Sequence, residues 1–439
     1  MEKIKPNISY TVSHSLCTGC GICEGACPSH AIQMQVKDGR FIPHVDASLC
    51  KNDKGCHRCY DACAGLGIDI VQIAKDDLSF EETKQDGFVG SYIGCHTGHS
   101  TDEDIRYHSA SGGMVSQMLI WLLEKGYIQG AVVTKFDPSN ELLVNSFVAT
   151  TKEEILAAKS SKYSPVTLNT AIQDIKSREG KFVIVGVPCH IQGFRKYEKL
   201  DKRFKEKIFG YFGIYCSCGR TFYLTEYAFN ERGIDKSRLT YFAYRDEGCL
   251  GSMVARQRPT GIRITDSNSE TCLYNDERVY KDRYQNYYHP LRTFFVPQRC
   301  HFCIDHYAEL ADVSFGDIHI APYKDDKIGI SSWVVRNEKF SALFEDAKAD
   351  GVITMDDLDV ETLKASQKVA FHKKQRSATY FKLHKLLGRK VPQYDVVLHD
   401  PHPLKSVVAY LNQMAQGFIG RRKYLWWIIK PLKATPPKD

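Results

Sequence analysis

The chain has no stretch long and apolar enough to span a bilayer; its most apolar short run is Tyr424 to Ile429. Met1 to Tyr10 holds no apolar core and no cleavage site, so no signal peptide is expected. No G-x-G-x-x-G follows a strand-like run, and no G-x-x-x-x-G-K-[ST] occurs, which leaves a Rossmann nicotinamide site and a P-loop without support. Cysteines and paired histidines never fall at zinc-finger spacing, no aromatic-and-basic RNA-binding motif is found, and no low-complexity tract occurs. The 439 residues are 43% hydrophobic and 25% charged, an ordinary globular balance with room for two or three domains.

What the chain has in excess is cysteine, sixteen in all, and without a signal peptide that favours metal ligation in a reducing compartment over disulfides. Cys17, Cys20, Cys23 and Cys27 stand in Cys-Thr-Gly-Cys-Gly-Ile-Cys-Glu-Gly-Ala-Cys-Pro. Three thiolates three residues apart hold three corners of an iron–sulfur cube, and the fourth, before a proline, serves a second cube. Cys50, Cys56, Cys59 and Cys63 repeat the pattern with a lengthened first gap. Crossed ligation puts one cluster on Cys17, Cys20, Cys23 and Cys63, and the other on Cys50, Cys56, Cys59 and Cys27. Zinc and a disulfide framework are the alternatives, and zinc seldom takes four cysteines so close together. The formal charge of +7 counts cysteines as neutral. Each four-thiolate cube carries about −2, so three would bring the protein near neutrality and remove the appearance of a nucleic-acid footprint.

The expected fold class is α/β in a mixed α+β arrangement. Residues 1–85 read as a two-cluster ferredoxin-like domain, with strands at Ala31 to Gln35 and Arg40 to Val45 and a charged helix or linker at Ala74 to Gly87. Residues 86–360 read as a larger domain. In it Met114 to Lys125 has helical apolar spacing, and Gly130 to Lys135, Lys181 to Val187, Ile208 to Tyr215 and Ala311 to Phe315 read as strands. Ser332 to Val335, Glu338 to Ala349 and Val352 to Thr354 read as strand, helix, strand. Residues of about 220–295, rich in tyrosine and charge, read as a β-rich insertion. Residues 361–439 read as a helical, basic C-terminal region. Alternating strands and helices imply a largely parallel or mixed sheet, with ligands at its strands' carboxyl ends. Cys189, Cys216 and Gly316-Asp317 lie at such ends.

Cys300 and Cys303 cannot close a cube alone, and Cys189 and Cys216 are two further candidates; zinc or redox-active thiols stay open on spacing alone. Here Val187-Pro188-Cys189-His190-Ile191, Gly213-Ile214-Tyr215-Cys216, Cys300-x-x-Cys303 and Ala311 to Asp317 resemble the beta-subunit family of coenzyme F420 hydrogenases and dehydrogenases. Ser109-Ala110-Ser111-Gly112-Gly113 and Ser161-Lys162-Tyr163 resemble it too. The resemblance spans residues of about 88–340 and implies one FAD beside one [4Fe–4S] cluster on Cys189, Cys216, Cys300 and Cys303. With the N-terminal pair that makes three [4Fe–4S] clusters. Ser109, Ser111, Gly112 and Gly113, at a helix start, suit a pyrophosphate, with Lys162 adding a cation and Tyr163, Gly316 and Asp317 completing the cofactor-binding set; a serine cap at a glycine turn is the structural alternative. His190 stands where many members carry glutamine, and Cys218 competes with Cys216 as ligand. Cys95, Cys249 and Cys272 read as ordinary thiols, and His96 and His99 as loop histidines rather than a metal pair. Tyr284, Tyr287 and Tyr288 read as packing residues with a ring-stacking alternative.

The expected function is an iron–sulfur flavoprotein oxidoreductase. Electrons pass from ferredoxin through the clusters to FAD, which reduces a small organic substrate. The alternatives are an electron-transfer subunit that oxidises reduced coenzyme F420 and feeds a partner enzyme, and a peripheral membrane component. No catalytic residue is assigned. The expected partners are ferredoxin or reduced coenzyme F420 and a small molecule or partner enzyme, without nucleic acid; an oligomer stays open. The expected location is cytoplasmic. Phe418 to Lys433 mixes Trp426 and Trp427 with Arg421, Arg422, Lys423, Lys430 and Lys433. It reads either as a docked helix or as a peripheral contact with the inner face of an anionic membrane.

Overall fold

The computed structural model describes all residues except 1–4, 79, 259–260, 267–268, 275–277, 292 and 434–439, with backbone alone for 261–266 and 269–274. Its centre is an eight-stranded mixed sheet in the order Asp356–Asp357, Gly94–Gly98, Ser331–Val335, Val313–Asp317, Ile208–Ile214, Phe182–Gly186, Gly130–Phe136 and Val144–Ala149. The four strands from Val313–Asp317 to Gly130–Phe136 are parallel to their neighbours within that block. The strands flanking them run antiparallel. The parallel block is where the sequence reads as continuous apolar runs, as strands covered on both faces must.

Both faces are covered. On one, Met118, Leu119 and Leu122 of helix Met114–Glu124 and Phe340 and Phe344 of helix Glu338–Ala349 pack on Val183, Phe212, Phe315 and Trp333. On the other, Ile191 and Phe194 of helix Pro188–Glu198 and Ile172 and Ile175 of Ala171–Lys176 pack on Ile184 and Tyr211. Cys20, Ile22 and Ala26 of the first cysteine motif belong to this second core. Gly21 makes that contact close. It has φ +84°, and a Cβ there would come within 2.1 Å of Thr167 Oγ1 and 2.7 Å of Asn169 N. The backbone N–H of Leu168 donates to Cys20 O at 3.0 Å beside it.

The N-terminal strands are Ile32–Lys37 and Arg40–Val45, an antiparallel hairpin. The Ala74 to Gly87 stretch resolves into the end of helix Ile70–Leu78 and a strand, Lys84–Asp86, paired with Gly90–Tyr92. The strand expected at Val352 to Thr354 is displaced. Ile353 makes an isolated bridge to Ser100, and the pairing strand is Asp356–Asp357. The insertion is β-rich but opens on helix Phe222–Arg232 and closes on helix Tyr284–Leu291. Its core takes in Trp426 and Ile429 from the far end of the chain. The C-terminal region packs helix Val369–Leu386 against Pro403–Gly420, and Gln393–Tyr394 pairs with Gly67–Ile68.

Candidate iron–sulfur and cofactor site

The two N-terminal motifs interleave in space. A small gap is lined by Cys17, Cys20, Cys23 and Cys63, closed by Ile8, Ile22, Met34 and Ala62. Burial, with Cys63 beside it, pushes the Cys17 thiol up to about 12, and Cys23 is raised well above its ordinary value by burial and by Cys20, Cys17 and Cys63. Cys59 belongs to the other group. Burial pushes it up to about 11, with Cys27, Cys56 and Cys50 adding to the rise. Backbone N–H groups turn toward the sulfurs, from Gly19 to Cys17 at 3.4 Å and from Ala31 to Cys27 at 3.3 Å.

The third group assembles from three parts of the chain. Cys189 sits in the first turn of helix Pro188–Glu198, Cys216 and Cys218 follow strand Ile208–Ile214, and Cys300 and Cys303 lie within and at the end of the short helical turn Gln298–Phe302. Cys189 is raised by burial and then by Cys20, Cys216, Cys300 and Cys303. The neighbourhood of Cys20 and Cys189 brings the first and third groups together. Burial pushes Cys216 up to about 12 and Cys300 up to about 11. Cys218 stands against Cys300, and its Sγ accepts from Arg220 Nη1 at 2.7 Å. The Gly219 N–H donates to Cys300 Sγ at 3.4 Å.

Two buried cations, Lys373 and Arg299, stand against this third group. Lys373 Nζ donates to Cys216 O at 2.8 Å and Asp305 O at 2.5 Å; burial opposes its charge, and Cys303 and Cys216 outweigh burial. Arg299 bonds Gly65 O at 2.8 Å and Tyr394 Oη at 2.9 Å, linking the loop after Cys63 to Cys300. Arg195 ties the Cys189 helix to the sheet through Leu310 O at 3.0 Å and Asp312 at 3.1 Å. His190 is buried, with Nε2 3.1 Å from Val166 O, and burial lowers it to about 4, so it is neutral.

Among the described residues no three His, Cys, Asp or Glu side chains converge on one point where a single metal ion could sit. The thiols instead surround gaps. Packed dry thiols that accept N–H bonds are the donor set of an iron–sulfur cluster, whose positive iron would supply the charge that ionises them.

Beside the third group lies a cavity of about 960 Å³, lined by Cys189, Cys216, Cys218, Cys300 and Cys303 and also by Cys17, Gly19 and Phe41. Its wall includes Gly113, Met114, Val115 and Ser116, the start of helix Met114–Glu124, with Gly113 in the left-handed region at φ +78°. Lys162 faces it without a carboxylate partner; Nζ donates only to Ala158 O and Lys159 O at 2.6 Å and Ser160 O at 2.9 Å. Burial lowers Lys162 to about 7. Its accessible surface is the cavity wall's, so water there lessens that shift. Arg220 Nε, also on the wall, is buried without a partner. A cation with no anion beside a helix N-terminus fits the diphosphate of a dinucleotide.

The serine–glycine turn reaches the same cavity, with Ser109, Ala110 and Ser111 on its wall beside Gly113. Ser109 Oγ donates to Ile105 O at 2.6 Å and Ser111 Oγ to Ile330 O at 2.8 Å. The Gly112 N–H donates to Ser331 Oγ at 2.9 Å, and a Cβ there would come within 2.7 Å of Gly98 O. Gly112 is closely packed and off the cavity wall, whereas Ser109, Ser111 and Gly113 are on it. Asp317 is held below the usual carboxylate range, since Arg245 at 2.6 Å outweighs its burial, and Gly316 packs under Tyr215. Tyr163 lies tilted against Tyr288 at 4.2 Å and Tyr284 stacks on Tyr288 at 4.7 Å, all three on the cavity wall, while Tyr287 is buried. Arg220, Arg245, Arg299 and Lys373 went unread in the sequence. Isolated basic residues far apart in the chain carry no spacing signal.

Outside these groups, Cys95 is buried in its strand and Cys249 lies near Asp317; the side chain of Cys272 is outside the described residues. His96 Nδ1 faces Asp357 at 3.1 Å and His99 Nδ1 bonds Ser100 O at 2.8 Å, so the two rings do not share a site.

Comparison with known proteins places this geometry. The model of the coenzyme F420 hydrogenase/dehydrogenase beta subunit matches in two parts, its N-terminal part over residues 95–173 and its C terminus over 179–361. A 4Fe-4S binding domain matches residues 10–33. The coenzyme F420 hydrogenase subunit beta of Methanosarcina barkeri is 23% identical over 280 residues, 61% of this chain and 83% of that one. The same subunit of Methanococcus voltae is 26% identical over 311 residues, 69% and 99% respectively. The coenzyme F420-dependent sulfite reductase of Methanocaldococcus jannaschii is 24% identical over 346 residues, 76% of this chain and 46% of that one. A chain of the F420-reducing [NiFe] hydrogenase complex of Methanosarcina barkeri shares the fold, with a TM-score of 0.53 and 20% identity over 71% of this chain and 98% of that one.

Proposed function

The chain belongs to the coenzyme F420 hydrogenase/dehydrogenase beta-subunit family of oxidoreductases and carries an iron–sulfur motif, and from that premise we propose that it is a three-cluster iron–sulfur flavoprotein exchanging electrons with a small organic reactant bound in the cavity. The observation that carries the reading is the shared wall of that cavity, with the third group of thiols, Lys162, which has no carboxylate partner, and the start of helix Met114–Glu124 together. Cys17, Cys20, Cys23 and Cys63 would hold one cluster and Cys27, Cys50, Cys56 and Cys59 another. Cys189, Cys216, Cys300 and Cys303 would hold the third, with Cys218, which stands against Cys300 and accepts from Arg220, the competing ligand. Met114, Val115 and Lys162 would take the diphosphate of FAD, and Tyr163, Tyr284 and Tyr288 offer it aromatic walls. When bound, the clusters carry single electrons and the flavin one or two, which is the conversion a two-electron reactant needs.

The chain's own residues do the rest. Arg245 and Asp317 neutralise each other at the cavity wall, and Arg245 also donates to Ala110 O, so the wall is rigid there. His319 faces the cavity with Nε2 3.6 Å from Asp317, where it can hold a proton for a reactant. The names of the relatives favour reduced coenzyme F420 as that reactant, with electrons leaving toward a partner enzyme. The other reading is a reductase fed by ferredoxin. Anaerobic mixing with reduced coenzyme F420 and, separately, with reduced ferredoxin, followed by flavin absorbance, distinguishes them. Bleaching by the deazaflavin within a turnover time supports the first. Bleaching by ferredoxin alone supports the second, and bleaching by neither sinks both.

A further inference from the structure

The C-terminal helix Pro403–Gly420 lies outside the residues matched by the family models, and it is mounted with its apolar side outward. The side packed on helix Val369–Leu386 is mixed: Ser406, Tyr410 and Gly417 are buried, Met414 packs with Phe302 and Tyr380, Tyr380 Oη bonds Gln413 at 3.2 Å, and His384 bonds Tyr410 Oη. Leu404 is 82% exposed, Val408 68%, Leu411 61% and Phe418 47%. With Ala415 they recur at steps of four and three, which on a helix confines them to an arc of about 80°. The chain then turns through Lys423–Ile428. Trp426 and Ile429 sink into the core of the insertion, while Tyr424 and Trp427 stay outside, 72% and 74% exposed. Buried and exposed side chains thus alternate along this segment.

Charge says what covers this face. Residues 401–433 contain no aspartate or glutamate and six lysines and arginines. Lys423 pairs with Glu226 and Lys433 with Glu231. Lys405, Arg421, Arg422 and Lys430 have no carboxylate partner among the described residues, and Arg422 lies 3.5 Å over the Phe418 ring. A second copy of the chain is disfavoured, because a two-fold contact would set the unpaired basic residues of this face against themselves. Exposed tryptophan and tyrosine among basic residues and an apolar helix side suit the headgroup level of an anionic bilayer. No described helix is long and apolar enough to cross one.

We propose that Leu404, Val408, Leu411 and Phe418, with Tyr424 and Trp427, seat the protein flat on an anionic lipid surface, held by Lys405, Arg421, Arg422 and Lys430. The surface is independent of the clusters and of the flavin. The test is co-sedimentation of the full holoprotein with vesicles of phosphatidylcholine, pure or mixed with phosphatidylglycerol. Binding is expected to the mixed vesicles at low salt and to be reversed at about 1 M salt, where charge is screened within a few ångströms. Val408→Ser with Leu411→Ser removes exposed side chains without touching a core and should weaken binding at least tenfold. Arg421→Gln with Arg422→Gln should weaken it by roughly 25-fold, at about fivefold per charge. Protein left in the supernatant with mixed vesicles overturns the proposal, as does equal binding to pure phosphatidylcholine. So does a dimer in light scattering that the Val408→Ser, Leu411→Ser variant dissolves, which would make the face a contact between copies. Binding only to an acidic protein and never to vesicles overturns it too.

Discussion

Lys162 is the sharpest test of the cavity as a dinucleotide site. In the folded chain its ammonium donates to three carbonyls and meets no anion, and burial lowers it to about 7. An unfolded lysine titrates near about 10.4. Between those values the unfolded state binds the extra proton, so Lys162 makes the empty protein more stable as pH rises from about 7 toward 10. A bound diphosphate reverses this by restoring the charge. Binding of FAD should therefore take up a proton above pH of about 7, and affinity should fall as pH rises through the window of about 7 to 9, which cavity water shifts upward. Removing the ammonium with Lys162→Met costs a charge-assisted contact of about 2–3 kcal/mol, or about 30- to 150-fold in Kd. Lys162→Arg should keep the affinity and flatten the pH dependence, because a guanidinium does not deprotonate in that window. Calorimetry of FAD binding to deflavinated protein at pH 8, in two buffers of different ionisation enthalpy, reads the proton count directly. If Lys162→Met binds FAD as tightly as the parent and the parent takes up no proton, the diphosphate lies elsewhere and the cofactor assignment fails with it.

Crossed ligation predicts that Cys27→Ser perturbs the cluster of Cys50, Cys56 and Cys59 and that Cys63→Ser perturbs that of Cys17, Cys20 and Cys23; electron paramagnetic resonance showing each change confined to the mutated motif would refute it. Alanine at Cys189, Cys216, Cys300 or Cys303 should lower an iron content of about twelve to about eight, whereas Cys218→Ala should keep it. Loss with Cys218→Ala and retention with Cys216→Ala would exchange their roles. Lys373→Met removes a buried cation beside Cys216 and Cys303 and should lower the third cluster's midpoint potential by about 60 mV, a tenfold change for one electron; a redox titration with no shift would show the charge to be neutralised locally. Gly21→Ala forces a Cβ onto Thr167 and Asn169 at a positive φ and should destabilise the protein by about 2–4 kcal/mol, read as a lower denaturation midpoint with loss of the N-terminal cluster signal; an unchanged midpoint would mean the motif is not docked on the sheet.

Several features were legible because they are local. The first cysteine motif states its iron–sulfur chemistry by its spacing, and the hairpin Ile32–Lys37 with Arg40–Val45 follows the alternation of its residues. The apolar runs ending at Val187 and Tyr215 mark buried strands and so put Cys189 and Cys216 at strand ends, where the strands Phe182–Gly186 and Ile208–Ile214 leave them. The displaced strand near Val352 shows the limit. A short apolar run has no period of its own, and pairing was decided by the neighbour Gly94–Gly98.

The sequence by itself determined that this chain handles iron and sulfur, that its main sheet is mixed, and which family its motifs belong to. Each of these rests on residues a few positions apart, whose mutual distance the backbone sets whatever the rest of the chain does. Only the tertiary structure decided that Cys20 neighbours Cys189, that Arg220 and Lys373 place charge against the third group of thiols, and that Lys162 faces a cavity without a counter-ion. It also decided that Gly112 packs against Gly98 and Ser331, and that the C-terminal helix turns Leu404, Val408 and Leu411 outward. Those facts depend on which surfaces meet across the sheet. Burial and charge at a site are sums over residues from every part of the chain, so no window of sequence contains them.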